Sequence, residues 1–439
     1  MSKARELANL RGTPTDHNIL LQSTAGDAIT AGSGTYNFAA GLNAFGAGTT
    51  GDNNIAIGKT SLALATIGLN NIAIGELAMS GVTVEQADNN IAIGKSALVG
   101  TSATTGDNNI AIGTTAMDAL TTGLDNIAIG RNSLGSATTG ESNVAIGKNA
   151  FGTGAAIEGD ENIGIGSNVG DALTTGSNNI ALGLNALGAA TTAGDNIAIG
   201  RTALAAATVN ATYNIALGTQ AMGVGVVAGA DNIAMGRNSS DALTTGKCNV
   251  ALGMDALGGA TTACLNVAIG YLAMGAATLA CGGTSQAEYN VAIGGQPLQN
   301  LTSGNDNIAL GTLAGGSRTT GKCDVLIGYK AGWCSLNGEQ NVAIGLQAFA
   351  QSKGDGHYNV AIGSYALGQG DTDGNDNIAI GRASADAIST GACNIALGQN
   401  ALGAATVGVK NIALGLSAMG GVTTGQADNN IAIGITAMQ

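Results

Sequence analysis

The sequence predicts an all-β chain, a parallel β-solenoid (β-roll) of about 23 coils, working as a homotrimeric rod. Three observations predict it. A pentad of the form N-I-A-I-G recurs 23 times, with closing glycines running from Gly41 to Gly434. The step between those glycines is 17 to 19 residues everywhere except Gly270 to Gly294, where it is 24. The chain holds 72 glycines and only 2 prolines, with 45% hydrophobic and 10% charged residues, a balance foreign to both collagen and disordered chains. A fixed short period of this kind is the mark of a stacked repeat. So frequent a glycine also rules out a helical reading of the repeat.

Each pentad position has its own physical reading. The first is asparagine in 22 of the 23 pentads, Asp324 being the exception. Stacked coils place these amides one above another, so Asn54, Asn71, Asn90, Asn109, Asn126, Asn143, Asn179 and Asn196 are expected to form a hydrogen-bonded ladder. The second and fourth positions are large and apolar, as at Ile55 and Ile57, and residues two apart on a strand share a face. They are expected to form the inner wall. The third position is alanine in 21 of 23, with Gly164 and Leu326 departing. On that reading the alanines face outward, where side chains normally vary, and their constancy suggests a closely packed neighbour. Ala56, Ala73, Ala92, Ala111, Ala128 and Ala145 are therefore the expected trimer interface. The closing glycine ends the strand and permits a sharp turn. An x-x-A-L or x-x-A-M stretch follows, as at Ala97-Leu98, and reads as a second short strand before a Thr-Thr-Gly turn. Stacked at about 4.8 Å, the 23 coils would make a rod of roughly 110 Å.

The array fills residues 37–439, and residues 1–36 read as an N-terminal attachment or capping segment, with Lys3, Arg5, Leu7, Leu10 and Arg11 as attachment candidates. The last coil ends at Ala437-Met438-Gln439, which leaves a strand edge for another protein, or for the trimer itself, to cover. The net charge of −13 disfavours nucleic acid, and no run of about 18 apolar residues is long enough to span a membrane. The opening residues lack the apolar stretch of a signal peptide, which points to folding in a cytoplasm. Of six cysteines, none forms a C-x-x-C pair, and free thiols are expected.

The motif N-[IV]-A-[IL]-G-x-x-A resembles the S-V-A-I-G-x-x-A repeat of YadA-like trimeric autotransporter adhesin heads. That resemblance covers about nine tenths of the chain and implies a left-handed parallel β-roll, three of which pack together. The coil is longer here than in that family, so its turns must be longer too. Runs such as T-T-G-x-x-N-I-A-I-G-x-x-A-L, together with the opening M-S-K-A-R-E-L-A-N-L, are similar to tail-fibre and appendage proteins of marine bacteriophages. This second resemblance implies a virion component made in a host cytoplasm and released by lysis. Its partners would be sister chains, other tail or appendage proteins and a host surface receptor.

Catalysis is not expected, nor is any cofactor. The two histidines, His17 and His357, are far from one another in sequence, and His357 sits in a turn. Asp371, Asp373, Asn375 and Asp376 alternate in one turn as oxygen ligands for calcium would, although a plain polar turn explains them as well. The inserted coil, Ala276 to Glu288 with Cys281, is the best place for a specific external contact, against the simpler reading of a tolerated loop. The leading function is thus a structural virion fibre that contributes to host attachment. The alternatives are a bacterial surface adhesin and an ice-binding solenoid, the latter on the strength of pairs such as Thr121-Thr122 and Thr174-Thr175.

Overall fold

A computed structural model describes residues 10–11, 16–22, 24–29, 33–82, 87–100, 106–153, 158–207, 211–277, 279, 287–352, 356–421 and 428–438. Among them there is no helix, and the chain is all-β, a parallel β-solenoid. It divides into two compact units, Met1–Asn214 and Ile215–Gln439. In the first unit, β1 (Leu10–Arg11) lies antiparallel to β2 (Ile19–Leu21), and β2 is parallel to β3 (Phe38–Ala40). Strand then follows strand, one per coil, as far as β12 (Ile197–Ile199). The second unit stacks its strands from β13 (Ile215–Leu217) to β25 (Ile431–Ile433) in the same way. Within each unit the strand residues pair with their counterparts in the next coil, so that Ile55 meets Ile72, Ala56 meets Ala73 and Ile57 meets Ile74. A constant register follows from the sequence, because a slip of one residue would turn every apolar side chain to the opposite face.

The parallel stack begins one coil earlier than the pentad repeat. Asn18 is buried and its Oδ1 accepts the backbone N–H of Asn37 at 2.7 Å. The boundary between 36 and 37 therefore falls inside the stack, and the apolar run Ile19-Leu20-Leu21 is a strand of it. Of the attachment candidates, Lys3, Arg5 and Leu7 lie outside the described residues. Leu10 and Arg11 form β1, and their side chains are likewise outside the description.

Among the described residues each pentad forms one three-residue strand, and the expected second strand is absent. The x-x-A-L stretch is a chain of turns in which alternate residues are left-handed, such as Ser96 (φ 54°) and Leu98 (φ 49°). Their N–H groups alternate in direction: Ser96 donates back to Glu76 at 2.9 Å, and Leu98 donates forward to Ala116 at 2.8 Å. Coil-to-coil bonding thus continues through a curl too tight for extended backbone. Left-handed non-glycine residues are unfavourable by about 1–2 kcal/mol, and these bonds offset that cost. The closing glycines have φ near +130°, at Gly58 for instance, and a Cβ there would meet the carbonyl of Gly75 at 2.5 Å.

The two strand faces are the reverse of the sequence expectation. Ala56, Ala73, Ala92, Ala111, Ala128 and Ala145 are completely buried inside their own chain. The flanking aliphatics point out, with Ile57 and Ile93 each 37% exposed. The cause is size. A coil this short encloses a narrow lumen, filled by the pentad alanine, the Ala-Leu or Ala-Met of the turns, and the asparagine. A methyl group fits opposite a leucine and two isoleucines do not. In one coil a bulkier turn is matched by a smaller strand residue. Phe151 replaces the turn leucine, and the facing positions of the next coil are Gly164 and Gly170, each lacking the Cβ that would strike the ring. Where Gly315 and Gly332 leave a gap in the turns, Leu326 fills it from the strand. Near-crystalline packing density in protein cores makes such paired exchanges necessary.

Candidate functional site

Three features carry chemistry or contact: the polar column inside the lumen, the outward strand face, and the shallow recesses of the turns. The asparagines line the lumen. In Asn54, Asn71, Asn90, Asn109, Asn126, Asn143, Asn179 and Asn196 the backbone N–H donates to Oδ1 of the preceding pentad asparagine at 2.8–3.1 Å. The side-chain amide then donates to a turn carbonyl of the next coil, as Asn54 does to Gly68 at 2.7 Å. Many also donate to the previous amide oxygen, as Asn126 does to Asn109 at 3.1 Å. Buried amides gain from such a column because every polar atom finds a partner.

One coil uses different chemistry. Asp324 keeps the acceptor role, taking the N–H of Asn341 at 2.7 Å, but a carboxylate has no donor for the turn carbonyl of Gly338. Arg318 stands where other coils have leucine, such as Leu120, and its Nη2 donates both to Asp324 and to Gly338. Its Nη1 reaches Ser335 O at 3.3 Å, while Nε finds no partner. Both side chains are fully buried. Burial pushes the Asp324 carboxyl up to about 6, opposed by the neighbouring guanidinium. Burial also pulls Arg318 below its usual range. The pair is a donor substitution inside the ladder and has no opening for a substrate.

The outward face of each strand is apolar across both units. Two aliphatic columns run along it, from Ile55, Ile72 and Ile91 on one side and Ile57, Ile74 and Ile93 on the other. In the first unit Ile57, Ile93, Ile129, Ile163, Ile165 and Ile199 are each more than a third exposed, a contiguous apolar stripe of the kind that marks an interaction surface. The alanines named as the trimer interface cannot serve as one, since they lie behind this face. Sequence reasoning missed the outward aliphatics as contact residues. The signal that could have found them was the paired departure of Gly164 and Phe151.

The outward residue before each ladder asparagine is left-handed and exposed. That column holds Asn53, Asn70 and Asn89 in the first unit, and Tyr289, Tyr358, Cys248, Cys323 and Cys393 in the second. The three cysteines are free and exposed, and Cys334 is half-buried. Cys264 is disulfide-bonded, contrary to the expectation of free thiols. Burial and nearby carboxylates raise the Cys323 thiol. Cys281 and most of the insertion lie outside the described residues, but Ala277, Leu279 and Ala287 at its edges are buried.

The histidines have structural partners. His17 stacks on Tyr36 with ring centroids 4.9 Å apart, and His357 Nδ1 accepts the N–H of Glu339 at 3.1 Å. Asn375 spends its Oδ1 on the N–H of His357. Among the described residues no group of three or more histidine, cysteine or acidic side chains could hold a metal, so Asp371, Asp373 and Asp376 are not gathered into a calcium site. No described helix is long and apolar enough to cross a membrane. A recess of about 340 Å³ lies among Asp386, Asn400, Gly403 and Ser417, and one of about 250 Å³ beside Lys330, Trp333 and Gln347. In the second recess Lys330 sits 5.0 Å from the centre of the Trp333 ring. Compared with known proteins, the chain matches no family model and none of the curated proteins.

Proposed function

We propose that the chain is a structural component of an extracellular appendage, a virion tail fibre that contributes to host attachment, in which three copies pack through their outward aliphatic faces. The observation that carries the proposal is the pair of outward aliphatic columns, half-buried to exposed, present on every coil from Ile55 onward. Water contact along such columns is unfavourable at about 25 cal/mol per Å², and a second copy offers a face of the same chemistry and spacing. The copy number of three draws on the likeness to trimeric adhesin heads, and the appendage role on the likeness to phage fibres. A bacterial surface adhesin is the second reading, and the disulfide at Cys264 suits any oxidising exterior.

Ice binding gains no support from the threonines. In several pairs the first hydroxyl is committed to the next coil, Thr121 donating to Thr138 O and Thr174 to Thr191 O, both at 2.8 Å. Light scattering of the full chain tests the proposal. A mass three times that of the chain is expected, falling to one chain when Ile93, Ile112 and Ile129 are replaced by aspartate. A folded native chain that stays monomeric at working concentration contradicts it.

A further inference from the structure

The outward face of the first unit has two unlike edges. Along each coil the outward residues alternate, as in Asn53, Ile55, Ile57 and Lys59. Every basic side chain described in this unit occupies the position just after the closing glycine: Lys59, Lys95, Arg131, Lys148 and Arg201, all exposed. The opposite edge, one or two residues before the ladder asparagine, is acidic. Asp52, Asp88, Asp107, Asp125, Glu141, Asp160, Glu161 and Asp195 lie there. Several also accept a backbone N–H from the preceding coil, as Asp107 does from Asp88 at 2.7 Å, which fixes the carboxylates in place. The single acid of the basic edge, Glu76, lies 3.5 Å from Lys95.

We infer that these edges set the direction of self-association: sister chains pack parallel and in register, the basic edge of one against the acidic edge of the next. The inference rests on the self-association proposed above. It follows from symmetry. Copies related by rotation about the stacking direction bring unlike edges together at every coil. Copies related by a two-fold across that direction bring acid to acid and base to base. The apolar columns alone accept either arrangement, since their residues repeat identically up and down the stack. Charged rims supply orientation where an apolar centre does not, and like-charge juxtaposition is costly.

Asn108 and Thr114 occupy opposite edges of one coil and are both exposed. Cysteine is compatible with the left-handed position of Asn108, because Cys248 and Cys323 hold the same position with φ of 58° and 56°. The full chain is prepared as two single variants, Asn108→Cys and Thr114→Cys, with Cys248, Cys323, Cys334 and Cys393 replaced by serine. The two are unfolded, mixed, refolded and oxidised. A 108–114 disulfide between chains is expected. Chains joined 108–108 or 114–114 would overturn the parallel arrangement. A folded monomer by light scattering and circular dichroism would instead remove the self-association beneath it. In a second arm, Lys95→Glu, Arg131→Glu and Lys148→Glu together are expected to weaken association about tenfold at low salt, with the difference vanishing near 1 M salt. Equal association at low salt would overturn the inference.

Discussion

The two units have interiors of the same make and differ on the outside. In both, the strand alanine, the turn alanine and the asparagine recur at matching places, buried and bonded coil to coil. The first unit has an outward face with acidic and basic edges. In the second, Lys247, Lys322 and Lys410 interrupt the acidic edge, and only Arg237 and Arg382 remain on the basic one. Three free, exposed cysteines, Cys248, Cys323 and Cys393, also stand on the acidic edge. Inside the second unit, Asp324 and Arg318 form an ion pair where the preceding coil has Asn307 and Leu301. The difference teaches that the interior takes its largest changes as compensated pairs, Asp324 with Arg318 and Gly164 with Phe151, whereas exterior positions change singly.

Breaking one half of a compensated pair should therefore have the largest effect. Arg318→Leu leaves Asp324 buried without its partner and is expected to cost about 3–5 kcal/mol. Combined with Asp324→Asn, which restores the pattern of the other coils, it should be neutral or stabilising by about 1–4 kcal/mol. Urea unfolding followed by Trp333, the single tryptophan of the chain, reads both.

The pH response sharpens the same point. The folded Asp324 carboxyl titrates near 6 against an ordinary 3.8, so the folded state holds this proton more tightly than the unfolded one. Its contribution favours the fold below about pH 4 and is lost as the pH rises through 6, a change of up to about 3 kcal/mol. Asp324→Asn should flatten this part of the stability profile; an unchanged slope between pH 4 and 6 would show that the titration lies elsewhere.

A methyl group added against Phe151 should act more gently. Gly164→Ala is expected to cost about 1–3 kcal/mol through overpacking, and Phe151→Leu in the same chain should recover most of it. Thermal melts of the single and double variants decide whether the two are coupled. The smallest effect belongs to the turn hydroxyls: Thr121→Val removes the bond to Thr138 O and should cost about 0.5–1.5 kcal/mol.

Much of this fold was legible in the residues. The period, the single register and the asparagine column all follow from spacing, because stacked coils must place like on like. The inner face was not legible from alternation alone. A period of two separates the faces of a strand without naming the buried one, and a constant alanine suits a narrow lumen as well as a close neighbour. The deciding information lay in the departures, Gly164 facing Phe151 and Leu326 facing Gly315 and Gly332, which make sense only if strand and turn share an interior. The coil at Asn18 escaped notice because Leu20 stands where alanine is usual and Gln22 replaces the glycine, holding the same backbone with φ 145°. The charged edges were visible as residues but meaningless until the outward face was known.

Thiol labelling of neighbouring positions tests the orientation of the strand most directly. In the cysteine-depleted chain, Ala111→Cys should stay unreactive until the protein unfolds. Ile112→Cys should react readily in dilute solution and more slowly as the protein is concentrated. Rapid native labelling at 111, with 112 protected at every concentration, would contradict the inward alanines and the assembly face built on them.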